Sequence, residues 1–521
     1  MLITEILSRN SRMYSEEVAL VERDPERNSR REISWRAFDA TANVFAHALM
    51  ARGIVKGDRV LHLMMNGLEW LPCYFGIIRS GAIVAPLNFR FESETLKICN
   101  ELVAAKALLF GPEFIERINA IKPALDQSVE HYIYIGPDAD CPDYAVLYEQ
   151  FIAGMAEDTP PVSFQLMDEA ALYFTSGTTG QPKAVSLTHR NLEHACYVEN
   201  QHHKQTHEDN FLCIPPLYHT GAKMHWFGNF VVGAKAVLLK GAKPEWVLQA
   251  ISEEQATIVW LLVPWAHDIL IAWENGAIDF SRYKLDQWRL MHIGAQPVPP
   301  NLIKAWRKLF PHHEYDTNYG LTESSGPGCL HLGLGNIHKI GSIGKPGFDW
   351  EAAIVDDDNQ PLPVGEPGEL IVKGPGVMQG YYGNAEATAE TLRDGWLHTG
   401  DVARVDEEGF IWLVDRKKDL IITGGENVSP VEVEHFLMEH CAIQDVAVIG
   451  TPDQRLGEVV TAIIQLKPGC ELTEQAVIAY AEGLPRYKRP RRVLFDQVPR
   501  NATGKIEKPK LRERYCTLLS A

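Results

Sequence analysis

Residues 173–191 read Tyr-Phe-Thr-Ser-Gly-Thr-Thr-Gly-Gln-Pro-Lys-Ala-Val-Ser-Leu-Thr-His-Arg-Asn. Thr175 to Lys183 carries four hydroxyls, two glycines and a lysine, just after the apolar run Ala170 to Phe174. Glycines let backbone N–H groups turn toward an anion, hydroxyls add donors, and lysine adds a mobile positive charge. The stretch is a device for holding polyphosphate beside a buried strand. It is not the P-loop, G-x-x-x-x-G-K-[ST]. Gly177 and Gly180 stand three apart, and Lys183 follows Pro182. A flexible surface turn would need neither the lysine nor so many hydroxyls there.

On both sides of this stretch, helix-like and strand-like segments alternate. Trp35 to Arg52 reads as a helix, Arg59 to Met65 as a strand, Leu68 to Ser80 as a helix and Ala82 to Pro86 as a strand. Phe211 to Ile214, Ala236 to Leu239, Ile258 to Val263 and Leu290 to Ile293 repeat the rhythm. Such alternation predicts layered α/β sheets with largely parallel strands. Near 350 the chain turns to β, with Trp350 to Val355 and Glu369 to Lys373 separated by turn-rich segments. A charged segment, Asp415 to Asp419, reads as a linker, with an exposed hairpin as the alternative. Ser429-Pro-Val-Glu432 reads as a capping box that opens a helix. The fold class is therefore α/β: a large N-terminal domain of layered sheets (1–416, with a β-rich subdomain at about 345–414), then a small mobile α+β C-terminal domain (417–521).

The 521-residue chain has a formal net charge of −18, which argues against nucleic acid or an anionic membrane as its main partner. An anionic substrate must be drawn in by local positive sites. The nine cysteines are scattered with no C-x-x-C, so neither a disulfide framework nor a zinc site is expected. The opening residues have no signal-peptide layout, and Pro264, His267 and Asp268 interrupt the longest apolar stretch. A cytoplasmic protein without a membrane span is expected; a homodimer is left open.

Three further segments complete the pattern: Tyr319-Gly-Leu-Thr-Glu-Ser-Ser325, Gly395-Trp-Leu-His-Thr-Gly-Asp401 with Asp415-Arg416, and Pro499-Arg-Asn-Ala-Thr-Gly-Lys505. In this order and spacing they resemble the adenylate-forming superfamily of acyl- and aryl-CoA synthetases, luciferases and peptide-synthetase adenylation domains. The resemblance covers essentially the whole chain. It implies an enzyme that activates a small carboxylic acid with ATP and Mg²⁺ to acyl-AMP and pyrophosphate, then passes the acyl group to CoA and releases AMP. Both steps crowd negative charge, so the protein must supply fixed cations and donors.

The resemblance also implies roles. Thr175, Ser176, Gly177, Thr178, Thr179, Gly180 and Lys183 would hold the β- and γ-phosphates. Thr322 would bond the α-phosphate, and Glu323 would bind Mg²⁺. Tyr319, with Gly320 beside it, would stack on adenine or else pack in the core. Gly294, Ala295 and Gln296 would line the base. Asp401 would accept both ribose hydroxyls, with Arg416 adding a contact. Lys505 would carry adenylation by bridging the carboxylate and the α-phosphate; Lys418 would be the hinge; Gly424, Gly425 and Glu426 would line the pantetheine channel. Many members have Gly where this chain has Asp415, with little effect expected. His219 would gate the acid pocket, and Gly221, Met224 and Trp226 would contribute walls. Lys223 and His225 either meet a second polar group or face outward. His202, His203, His207, His312 and His313 are expected at the surface. The acid is expected to be medium-chain, cyclic or aromatic. Alternatives are a ligase loading a carrier protein in trans, a phosphotransferase or ATPase releasing ADP or phosphate, and a nucleotide-binding protein without catalysis.

Overall fold

The computed structural model describes residues 1–176, 182–294, 298–326, 330–331, 335–416, 419–423, 426–453, 455–500 and 505–519. For Ser176, Leu330, His331, Arg416, Asn427 and 517–519 only the backbone is described. Two large sheets form the body. One runs in the order Gly380–Tyr381, Pro182–Thr188, Glu169–Ser176, Ile83–Pro86, Arg59–Leu63, Ala107–Phe110, His131–Tyr134 and Val146–Leu147. The other runs Glu314–Asp316, Leu290–Gly294, Ile258–Leu262, Asn210–Cys213, Lys235–Leu239, Val18–Asp24 and Ser29–Ser34. Most neighbours in both are parallel, as βα alternation requires.

The helices that cover these sheets follow from local sequence. Trp35–Ala51 is capped by Ser34, whose hydroxyl accepts from the Ala37 N–H at 3.2 Å. Its buried Trp35, Phe38, Ala42, Phe45, Ala46 and Leu49 recur at helical spacing. They meet Trp70–Arg79 and Thr220–Phe230 in an aromatic core, where Phe38 stacks on Trp226 at 6.4 Å and Phe75 meets Trp226 edge-on at 6.2 Å. Each fully buried ring of this kind stabilises by about 1.5–3 kcal/mol. The helix Thr220–Phe230 is buried at every position, because it is wedged between the two sheets.

An antiparallel sheet follows, formed by Glu351–Val355, Gly368–Lys373, Trp396–Val405, Leu392–Arg393 and Ile411–Arg416. The last sheet holds Glu426–Val428, Ile421–Thr423, Gly457–Leu466, Ile443–Asp453 and Arg492–Phe495 around its own apolar cluster. The helix Pro430–Leu437 starts where expected, with Ser429 accepting from the Glu432 N–H at 3.3 Å. Glu432 does not reach back to complete the box; its carboxylate pairs with Lys488 at 2.6 Å. No helix among the described residues is long and apolar enough to cross a membrane.

Candidate active site

The stretch at 173–191 is a hairpin followed by a helix start. Glu169–Ser176 and Pro182–Thr188 pair antiparallel, with Thr175 opposite Lys183 and Ser176 opposite Pro182. Gly177, Thr178, Thr179 and Gly180 lie outside the described residues, as do Ala295, Gln296, Lys418, Gly424 and Gly425. Glu426 is exposed at the start of its strand.

The short strand Gly380–Tyr381 pairs with the other side of Pro182–Thr188, Tyr381 opposite Val185. This puts the Tyr381 ring 4.6 Å from the Lys183 ammonium. The same tyrosine donates its hydroxyl to Glu323 Oε1 at 2.9 Å. Burial, and then the Glu323 charge, raise the Tyr381 pKa, so the phenol stays a donor. One aromatic side chain thus joins Lys183 to Glu323. Sequence reading missed Tyr381; its segment, Gly380-Tyr-Tyr-Gly383, carries no periodic signal.

Thr322–Ser324 is a single 3₁₀ turn. Its shape is fixed by the Leu321 N–H donating to Ser324 Oγ at 2.8 Å and by the Met378 N–H donating to the Glu323 carbonyl at 2.8 Å. Gly326 ends the stretch at φ +85°, and an added Cβ there would stand 2.8 Å from Met224 Cγ and 3.1 Å from the Thr220 carbonyl carbon. Only glycine fits. This contact seats the helix that begins at Thr220 against the stretch that carries Glu323.

His219 caps that helix, its Nδ1 accepting from the Gly221 N–H at 3.2 Å. Nδ1 as acceptor puts the proton of the neutral ring on Nε2. Burial, then the Lys505 cation, then His225 push the His219 pKa down to about 3. Lys505 therefore lies near enough to act on His219, although nearly three hundred residues separate them. Gly221 is close-fitted too: a Cβ would be 3.1 Å from both His219 Nδ1 and the Trp260 ring.

Tyr319 is buried beside Trp350 and Leu370, and its hydroxyl donates to Asp401 Oδ2. Asp401 is 5% exposed and stands opposite Arg416 in the strand pairing. Gly320 follows Tyr319 between the strand Asn318–Tyr319 and the Thr322 turn. Gly294 ends the strand Leu290–Gly294, and an added Cβ would lie 3.9 Å from Trp260 Nε1.

Several expectations about polar side chains are corrected. His203 and His313 are buried, not at the surface. His203 Nε2 lies 2.6 Å from Asp316 and Nδ1 2.9 Å from Glu199. Burial opposes its charge, but the Glu199 and Asp316 carboxylates outweigh that and raise its pKa to about 10. His292 Nδ1 sits 3.2 Å from His203 Nε2, and His292 Nε2 sits 2.7 Å from His225 Nε2. His225 stacks on Trp260 at 4.3 Å. Glu199, His203 and His292 offer ligand atoms within 4.8 Å of one another, but their hydrogen-bond spacings describe a proton-linked network. His202 and His207 are half-buried and His312 is exposed. Lys223 and His225 face inward, both buried. Trp226, expected as a wall of the acid pocket, instead packs into the aromatic core against Phe38, Phe75 and Phe230.

The profile of the AMP-binding enzyme family matches residues 7–382, and that of the AMP-binding enzyme C-terminal domain matches 432–505. The chain belongs to the AMP-binding enzyme family. Its activity is that of an AMP-forming acid–CoA ligase, which uses ATP to make an acyl-AMP and then transfers the acyl group to CoA. It is similar to a feruloyl-CoA synthase of Amycolatopsis sp, 35% identical over 477 residues, covering 90% of this chain and 91% of the relative. A long-chain-fatty-acid–CoA ligase of Mycobacterium tuberculosis is 32% identical, covering 93% of each chain. Among solved structures, the anthranilate CoA ligase AuaEII in complex with anthranoyl-AMP superposes with a TM-score of 0.91 at 28% identity, covering 100% of this chain and 98% of that one.

Proposed function

We propose that the chain activates an aromatic or cyclic carboxylic acid, with Lys505 as the group that drives adenylation. The observation that carries this reading is the convergence of Lys183 and Glu323 on Tyr381, in a chain whose C-terminal family match runs to Lys505. In the reaction the acid oxygen attacks the α-phosphorus of ATP, the bond to the bridging oxygen breaks, and pyrophosphate leaves. Two anions must approach. Lys505 bridges them, lowering their repulsion, and Thr322 donates to the α-phosphate. Lys183 and Thr175, with the hydroxyl and glycine residues between them in sequence, hold the β- and γ-phosphates. Asp401 accepts from the ribose hydroxyls; its two oxygens have about four acceptor sites, so the bond from Tyr319 leaves room for both.

The donors around Glu323 fit a magnesium ion. Glu323 is half-buried, Tyr381 engages one of its oxygens, and the second suits a hard cation shared with phosphate oxygens. Bound there, the ion would neutralise phosphate charge and orient the leaving group.

The acid pocket is assigned to His219, Gly221 and Met224. Neutral His219 offers an Nε2–H donor at its mouth. Trp260 and His225, stacked beside Gly221, supply flat walls suited to a ring. Relatives named for feruloyl and anthranilate groups support an aromatic acid, and the flat walls, rather than the relatives, which include a long-chain-fatty-acid ligase, set it above a long chain. We assign 1–416 and 417–521 as the two domains, with 345–414 the β-rich part of the first and Lys418 as the hinge. Rotation there would withdraw Lys505 and bring Gly424, Gly425 and Glu426 to the pantetheine arm for thiolysis.

A panel of carboxylic acids scored by pyrophosphate release, followed by thioester formation with CoA alone, tests this reading. Aromatic acids should give the highest kcat/KM, with AMP and not ADP as product. A preference for saturated long-chain acids would overturn the substrate class.

A further inference from the structure

A chain of buried polar side chains stands behind the wall of the acid pocket, and the chemistry above does not use it. It joins Glu199, His203 and Asp316 to His292, Asn318 and His225. Its proton positions follow from groups that have no choice. A carboxylate only accepts, so the Asn318 amide nitrogen is the atom that meets Glu199 Oε1 at 2.9 Å. That nitrogen also donates to His225 Nε2 at 3.0 Å, so Nε2 carries no proton. The His225 proton is therefore on Nδ1, where the Gly221 carbonyl accepts it. His292 Nε2, 2.7 Å from the bare His225 Nε2, must donate, which leaves His292 Nδ1 to accept from His203 Nε2 at 3.2 Å. His203 Nδ1 faces Glu199 at 2.9 Å, so His203 is protonated on both nitrogens. Burial, then the histidines beside it, push the His292 pKa well below its ordinary value. Burial also opposes the His203 charge, and the two carboxylates raise its pKa in spite of it.

The chain ends on the pocket wall. His225 lies flat on Trp260, with ring centres 4.3 Å and planes 13° apart. His292 meets that stack edge-on, at 89° to His225 and 86° to Trp260. The Trp260 ring reaches the front of the pocket, 3.1 Å from where a Cβ on Gly221 would stand. Stacking alone lets an imidazole slide or flip in its plane; hydrogen bonds at both nitrogens do not. Apolar residues would fill the same volume without burying two carboxylates and a cation, so packing alone does not account for the cluster. A fixed orientation is what they would lack.

We propose that Glu199, His203, Asp316 and His292 are positioning residues: they lock the His225 ring in one tautomer and one plane, and the Trp260–His225 stack held in this way admits flat acids and turns away puckered ones. This rests on the stack being a wall of the acid pocket. The preferred substrate is then an aromatic acid and not a saturated ring of the same size.

The test sets benzoic against cyclohexanecarboxylic acid, and cinnamic against β-cyclohexylacrylic acid, by pyrophosphate release. The wild-type enzyme should favour each flat acid by at least about tenfold in kcat/KM. His292→Phe keeps a ring but loses both hydrogen bonds. It should cut that preference to about twofold by raising KM for the flat acids about fivefold, the scale of one lost hydrogen bond, with kcat and the KM for ATP unchanged. His292→Gln, whose amide still offers a donor, should recover most of the preference. Asp316→Asn changes charge and not shape and should lower the preference about threefold, so the test stands even if His292→Phe does not fold. Variants that lose Tm but keep the wild-type ratio show a scaffold role and overturn the proposal; so does an equal rise in KM for both acids of a pair. Met224→Trp is the control for the pocket and should change KM for all four acids. If it does so while the ratio holds in the network variants, the positioning assignment alone has failed. A wild-type enzyme that prefers the saturated acids, or activates none of the four, fails the pocket reading and the proposal together.

Discussion

Tyr381 donates its hydroxyl to Glu323 at 2.9 Å while its ring lies 4.6 Å from the Lys183 ammonium. The contact couples the lysine proposed to hold phosphate to the carboxylate proposed to hold magnesium. Tyr381→Phe keeps the ring beside Lys183 and removes only the bond to Glu323. A hydrogen bond to a charged group is worth about 1.5–3 kcal/mol. The apparent magnesium constant for pyrophosphate release should therefore weaken by about tenfold, and Mn²⁺-dependent ATP binding, read by calorimetry, should weaken with it. Tyr381→Leu, which also removes the ring, should weaken ATP binding further. Unchanged metal dependence in Tyr381→Phe would rule out the coupling.

Asp415 makes a contact the sequence did not announce. Its carboxylate accepts from the Val431 N–H at 3.2 Å and from the Ser429 hydroxyl at 3.4 Å. Those partners open the helix Pro430–Leu437, on the far side of Lys418. On the proposed two-domain reading, these bonds favour the orientation in which Lys505 serves adenylation. Asp415→Ala should slow adenylation by about three- to tenfold and leave thiolysis of supplied acyl-AMP unchanged or faster. Rapid-quench assays of the two half-reactions check this. Slower thiolysis with normal adenylation would be the opposite result.

The strands and helices were legible wherever apolar periodicity was strong. Trp35–Ala51 and Ile258–Leu262 fall within a residue of expectation, because half-buried helices and buried strands leave a period in the chain. The helix Thr220–Phe230 was different. It is buried all round, so no polar face marks its direction. Lys223 and His225 were therefore open to being read as outward-facing. His203 was misread because its partners, Glu199 and Asp316, are four and more than a hundred residues away. The motif residues Lys183, Glu323 and Tyr319 could be picked out by resemblance; Tyr381 and the contacts of Asp415 could not. Their partners are set by strand pairing and by a helix start in three dimensions.

The buried histidines set the dependence of stability on pH. His62, His189 and His313 are held at about 3, about 4 and about 4, in each case first by burial. An unfolded histidine titrates near about 6.5. Each of the three therefore contributes stability that is fully present above that pH and is lost as pH falls toward its folded value. His203 has the opposite sign. Raised to about 10, it contributes stability that is present below about 6.5 and is lost as pH rises through its folded value. Urea midpoints should fall on both sides of a maximum near pH 6.5. His313→Phe, which keeps the stack on Phe310, should flatten the acid side by about 1.4 kcal/mol per pH unit. Midpoints that keep rising down to pH 5 would contradict these assignments.

Lys505 carries the central claim, and separating the two half-reactions tests it most directly. Lys505→Ala should lower acid-dependent pyrophosphate release by about 10²–10³-fold, the scale of losing one charged stabiliser of the transition state. The same variant, given acyl-AMP and CoA, should form thioester within a few-fold of the wild-type rate. Equal loss in both half-reactions, or full pyrophosphate release, would contradict the account.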